Sequence, residues 1–111
     1  MITEPQVDAA VEHLRKSAEE AANARANVRY LEAYLKTLKA QIKAQQVGLS
    51  NVAAEDVALC DPSYVEALKG YQEAVRQDAF FTFKREAAAA LIEAWRTQQA
   101  NARAEGRAYG P

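Results

Sequence analysis

The first 42 residues carry an apolar side chain at every seventh position: Val7, Leu14, Ala21, Val28, Leu35 and Ile42. A seven-residue apolar repeat is typical of an α-helix that packs along one stripe against another helix. A second apolar position accompanies the repeat, at Val11, Ala18, Leu31 and Leu38. Its offset from the first position changes from four residues to three near Arg25, so the sequence predicts a shift of the apolar stripe at that point.

Capping residues set the ends of this helix. Thr3 and Gln6 have the spacing of a capping box, and Pro5 falls in the first turn, where its missing N–H costs nothing. Gly48 is suited to the position just after a helix. We therefore predict a helix over about residues 4–46.

A second long helix follows a connector over about residues 47–62, which has room for a short helix after Ser50 or Asn51. Asp61 and Pro62 form a helix start, and Ser63 with Glu66 offers another capping box. The second helix is predicted over about 63–105, with a flexible tail over 106–111. Its predicted inward face is Tyr64, Leu68, Tyr71, Val75, Ala79, Phe83, Ala87, Ala90 and Ala94.

The composition favours helices over strands. Alanine accounts for 25 residues, whereas the chain has four glycines and three prolines, so helix breakers are few. Two long helices and a short connector predict a single all-α domain that forms a long antiparallel, coiled-coil-like helical hairpin.

The charge pattern supports the antiparallel orientation. The formal charge is −2 over residues 1–27, +3 over 28–46, −4 over 47–83 and +2 over 84–111. A hairpin places each block beside one of opposite sign, whereas a parallel pair would place like beside like. With the reversal between about residues 47 and 62, the hairpin predicts that Leu14 lies beside Trp95.

The apolar surface is too wide for one partner helix. Phe80, Phe81 and Phe83 together cover about 160° of the second helix. We therefore expect self-association, most simply a homodimer that forms a four-helix bundle. The alternative is that this surface binds another protein.

No pattern points to catalysis, a cofactor or a metal. His13 has no carboxylate or histidine three or four residues away that would complete a metal site, and no base accompanies the serines. Cys60, the only cysteine, lacks a catalytic partner, so we expect a non-enzymatic protein. Neither a secretory signal nor a membrane span is visible, which indicates a cytoplasmic location.

Two groups of residues are candidates for binding. Arginine beside aromatic side chains suits a protein partner, and the candidates are Phe81, Trp95, Arg96, Arg103 and Arg107. The alternative is weak binding of single-stranded nucleic acid by Lys36, Lys39, Lys43, Arg96, Arg103 and Arg107. The three lysines have a simpler interpretation as partners of acids on the facing helix, namely Glu66, Glu73 and Asp78.

The segment from Ile92 to Arg107 carries a specific pattern, I-E-x-W-R-x-x-x-A-x-x-R-A-E. In this segment the chain resembles a group of small helical phage and prophage proteins, and the step Asp61-Pro62-Ser63-Tyr64 is similar to the start of their second helix. The resemblance covers about twenty residues. It implies a phage-encoded accessory role associated with early recombination and replication genes, and it transfers no catalytic residues. We expect the chain to bind a phage or host protein of DNA recombination or host defence by scaffolding or occlusion.

Overall fold

The computed structural model describes residues 1–109, and all of the regular structure in that range is helical. Helix α1 spans Glu4–Ala44, α2 spans Asn51–Cys60 and α3 spans Pro62–Tyr109. The fold is an all-α helical hairpin, as predicted. Helix α3 continues through residues 106–109, for which a flexible tail was expected, because Gly106 is tolerated inside the helix. The last two residues of that predicted tail lie outside the described residues.

The predicted caps begin the helices. The Thr3 amide donates to Gln6 Oε1 at 2.8 Å and the Gln6 amide donates to Thr3 Oγ1 at 3.4 Å, which confirms the capping box at α1. Ser50 caps α2 by accepting a hydrogen bond from the Ala53 amide. Asp61 caps α3 by accepting from the Ser63 amide at 2.8 Å, with Pro62 at the first helical position. The turn before α2 uses Gly48, whose φ of 81° favours glycine.

Two compact units divide the chain. Unit 1 comprises Met1–Ala21 and Phe80–Pro111, and unit 2 comprises Ala22–Ala79. Within unit 1, Ile2 contacts Gln98 and Ser17 contacts Arg85.

Within unit 2, Arg25 contacts Asp78 and Glu32 contacts Tyr71. In each unit the α3 residue number falls as the α1 number rises, so both pairs of helical segments run antiparallel.

The register differs from the prediction. Because the Arg85 guanidinium donates to the Leu14 carbonyl, Leu14 lies opposite Arg85. Trp95 lies ten residues, or about 15 Å, further along α3, so the predicted contact with Leu14 is wrong. The Gln98–Ile2 contact places Trp95 near the first turn of α1.

Within unit 2, the position of α2 accounts for part of the difference between the predicted and the observed register. Lys39 in α1 donates to Glu55 in α2 at 2.7 Å, and Ala54 and Ala58 are buried. The chain therefore runs back alongside the end of α1 before α3 begins. The predicted register assumed that the chain simply reverses between residues 47 and 62.

The seven-residue repeat on α1 is confirmed, since each of its six members is buried or half-buried. The predicted shift of the stripe is wrong. Ala10 and Ser17 are buried, whereas Val11 and Ala18 are exposed. The second position therefore stays three residues after the first throughout the repeat.

The predicted inward face of α3 is only partly correct. Tyr64 and Tyr71 are half-buried, but Leu68, Val75 and Phe83 are exposed. The observed inner stripe is displaced by about one position around the helix, and it consists of Tyr64, Ala67, Tyr71, Ala74, Asp78, Phe81, Arg85, Ala88, Ile92 and Trp95. Two of these residues are charged, which is why an apolar pattern did not reveal the stripe.

Candidate interaction surfaces

An arginine occupies the helix interface of unit 1. Arg85 Nη1 donates to the Leu14 carbonyl at 2.7 Å and to Ser17 Oγ at 2.8 Å, and Ser17 is buried. These bonds satisfy the Ser17 hydroxyl and join α1 to α3 at one register. We call this the Arg85–Ser17 contact. Sequence analysis missed both residues, although a constant three-residue offset from Leu14 would have found Ser17.

The aromatic candidates for partner binding are divided between two faces. Phe81 and Trp95 belong to the inner stripe of α3 and are half-buried. Phe80 and Phe83 face outward, with 50% and 67% of their surface exposed. On α3, the aromatic surface most available to a partner is therefore Phe80 and Phe83, which were not among the predicted site residues.

These two phenylalanines begin a second apolar stripe on α3. It lies within unit 1, spaced by three and four residues in alternation, and we call it the outer stripe: Phe80, Phe83, Ala87, Ala90 and Ala94. Phe83 and Ala87 lie two positions before and after Arg85, or about 200° around the helix, so the outer stripe points away from α1. The Lys84 ammonium lies 5.1 Å from the centroid of the Phe80 ring.

The last turns of α3 extend past the start of α1. Gln98 Oε1 accepts a hydrogen bond from the amide of Ile2, just before the first turn of α1, and every residue from 99 to 108 is exposed. We call residues 99–109 the projecting segment. It carries Arg103 and Arg107, and within residues 1–109 neither guanidinium forms a salt bridge. Arg96, one turn before it, pairs with Glu93 at 3.5 Å, and both side chains are largely exposed.

The lysine candidates line a surface cavity in unit 2. Its volume is about 550 Å³, and its lining includes Lys36, Lys39, Lys43 and the first residue of α2, Asn51. The Lys39 ammonium donates a hydrogen bond to Glu55, which lowers the pKa of that carboxyl and raises the pKa of Lys39. Lys39 is thus engaged in joining α1 to α2, while the other two lysines form no salt bridge in the described part of the chain.

The acids expected opposite these lysines have other partners. Glu66 pairs with Lys69 and Glu73 with Arg76, each within one turn of α3. Asp78 pairs with Arg25 at 3.4 Å. The predicted ion pairs between the lysines and α3 are therefore wrong, and Lys39 pairs with Glu55 of α2 instead.

The remaining reactive side chains form no cluster. His13 is half-buried, and its buried Nε2 atom has no hydrogen-bond partner within residues 1–109. Cys60 is a free, exposed thiol at the end of α2. Among residues 1–109, no group of three His, Cys, Asp or Glu side chains is arranged to hold a metal ion.

Comparisons of the chain with protein-family models, with curated proteins and with solved structures found no match. None of the helices in the described range is both long and apolar enough to cross a membrane. The exposed surfaces of the described residues are the outer stripe, the projecting segment and the lysine cavity.

Proposed function

We propose that this chain is a non-enzymatic accessory protein that binds a protein partner through the projecting segment of α3. The partner belongs to DNA recombination or host defence in a phage-infected cell, and the chain acts in the host cytoplasm by scaffolding or by occlusion. The resemblance to small phage proteins over Ile92 to Arg107 supports this setting. The resembling segment also extends into the projecting segment, where the partner would bind.

The exposure of residues 99–108 is the observation that carries the proposal. An isolated helix of this length is marginal in water, since helices gain most of their stability from packing. A helix that continues without packing is suited to docking in the groove of a partner. Arg103 and Arg107, four residues apart on one side, would supply charged contacts to acidic groups there.

A truncation tests this proposal. A chain that ends at Gln98 keeps the Ile2–Gln98 contact, so we expect its helical hairpin and melting temperature to change little. Affinity capture from phage-infected host cells, quantified by mass spectrometry, is expected to recover a partner with the full chain and to lose it with the truncated chain.

Two charge reversals provide the matched comparison. Arg103→Glu with Arg107→Glu should lose the same partner, whereas Arg76→Glu, at another exposed arginine on α3, should retain it. Recovery of the same proteins with the full and truncated chains would show that the projecting segment is not the binding element.

The lysine cavity favours a second candidate function, the weak binding of single-stranded nucleic acid. Lys36 and Lys43 line it without a salt bridge in residues 1–109, and both are therefore available to phosphates. Titration of fluorescent single-stranded DNA at two salt concentrations tests this candidate. Binding that falls steeply with salt, and that is lost in Lys36→Glu with Lys43→Glu, would favour it over the protein partner.

A further inference from the structure

We propose that the outer stripe of α3 binds the outer stripe of a second copy of this chain in antiparallel orientation. The inference goes beyond the proposed function, because the outer stripe ends at Ala94 and does not include the projecting segment. Each interface can therefore be lost without the other.

The spacing of the outer stripe is that of a helix–helix interface. Its five members alternate steps of three and four residues, which keeps them on one side of α3 for about 21 Å. All five are apolar and exposed, and Phe83 has 67% of its surface exposed. Bare apolar stripes of this kind on a helix are typically covered by another helix.

The order of side-chain sizes identifies the occupant and its direction. Both phenylalanines lie at the N-terminal end of the stripe, and the three alanines follow. An antiparallel second copy places Phe80 over Ala90 of the partner subunit and Phe83 over Ala87 of the partner subunit. Every large side chain then meets a small one, so the helix axes keep an even separation.

A parallel second copy would pack poorly. It would set Phe80 and Phe83 against their own copies and leave alanine against alanine in the rest of the stripe. The helix axes would then have to be far apart at one end of the stripe and close at the other, which leaves voids or strained rotamers. The stripe is thus self-complementary in one direction only.

The flanking charges indicate how the association depends on salt. In the antiparallel pair, the two copies of Lys84 lie near each other on one side of the interface. The two copies of Glu86 lie near each other on the other side. Since salt screens such like-charge pairs, association is expected to strengthen as salt is added. Association that weakens with salt would contradict an apolar interface.

Sedimentation equilibrium of the full chain tests the proposal. We expect a reversible dimer whose dissociation constant rises at least about tenfold in Phe83→Lys, since this change removes a large apolar contact. The matched control is Tyr30→Lys, because Tyr30 is exposed to a similar degree (65%) but lies on α1 in unit 2. A wild-type monomer at all concentrations, or equal effects of both variants, would overturn the proposal.

Cross-linking tests the direction of the pair. In a Cys60→Ser background, Glu86→Cys is expected to link to its own copy through a short bismaleimide, because the two positions meet near the two-fold axis. Ala94→Cys should not link, since its copies would lie about 27 Å apart along the helix axis. Efficient linking through Ala94→Cys, or none through Glu86→Cys, would exclude the antiparallel register.

Discussion

Unit 2 and unit 1 use the same pair of helices with opposite distributions of side-chain size. In unit 2, α1 contributes large aliphatic residues such as Leu35 and Ile42, and α3 contributes Ala67 and Ala74 on either side of Tyr71. In unit 1, α1 contributes small residues such as Ala10 and Ser17, and the large side chains come from α3. Each unit thus combines large and small side chains along the two helices.

Unit 2 contains a third helix, α2. In unit 2, α2 adds the buried Ala54 and Ala58 to a core that includes Leu35 and Ile42, whereas the buried residues of unit 1 are Val7, Ala10 and Ser17. In unit 1 no third helix is present in residues 1–21 or 80–109, and Phe81 and Trp95 stay half-buried. Unit 1 also carries the exposed outer stripe and the projecting segment. We infer that unit 2 provides most of the stability and that unit 1 provides the surfaces for association.

The largest expected effect is that of shortening a buried side chain in unit 2. Ile42 is 5% exposed, and Ile42→Ala should destabilise the chain by about 2–4 kcal/mol through lost burial and an imperfectly closed cavity. Urea unfolding measures this change. Val7→Ala in unit 1 should cost only about 1–2 kcal/mol, because fewer carbon atoms lose their contacts.

Val47→Ala serves as the control for exposure, since Val47 is 94% exposed and should change stability by less than about 0.5 kcal/mol. A larger loss for Val7→Ala than for Ile42→Ala would reverse the comparison between the units.

An intermediate effect is expected from the Arg85–Ser17 contact of unit 1. Arg85→Met removes both hydrogen bonds and leaves the buried Ser17 hydroxyl without that donor, at a cost of about 1–2 kcal/mol. The comparison variant is Arg76→Met, which breaks an exposed pair with Glu73 and should cost less than about 0.5 kcal/mol. Urea midpoints of both variants measure the difference.

A double-mutant cycle of Arg85→Met with Ser17→Ala should show a coupling of about 0.5–1 kcal/mol. Additive effects, or an Arg85→Met variant more stable than the wild type, would show that the contact does not stabilise unit 1.

The smallest expected effect is the acid sensitivity of the contact between α1 and α2. The hydrogen bond from Lys39 lowers the pKa of Glu55 below its ordinary value of 4.5, so the pair stabilises the fold above that value. The stabilisation is lost as the pH falls through the lowered pKa. Lys39→Ala should therefore lose less stability than the wild type between pH 7 and pH 3, measured by urea unfolding.

Lys36→Ala, at a lysine of the same cavity that forms no salt bridge in residues 1–109, should keep the wild-type acid sensitivity. If both lysine variants lost stability equally on acidification, Glu55 would not owe its lowered pKa to Lys39.

Local sequence signals predicted the helices well. The seven-residue repeat located the buried side of α1, and Thr3, Ser50 and Asp61 cap the three helices as their residue types suggest. The antiparallel direction followed from the charge blocks. The caps and the repeat depend on residues close together in the chain, and the helix direction depends on the net charge of long segments. Both can be read from a single sequence.

The helix faces and the register were harder to predict. Helix α3 has two apolar stripes, and the inner one includes Asp78 and Arg85, so hydropathy favoured residues of the exposed side such as Phe83. The register depends on α2 packing beside Lys39, which is a tertiary contact. Among the candidate binding residues, the exposure of Arg103 and Arg107 follows from the same register, since α1 begins opposite Gln98.

The division between a stable unit 2 and an associating unit 1 is tested most directly by residue-resolved hydrogen exchange at two protein concentrations. We predict the slowest exchange at residues 28–42, the fastest at residues 99–109, and added protection of residues 80–94 at the higher concentration. Equal protection of both units, with no dependence of residues 80–94 on concentration, would contradict the account.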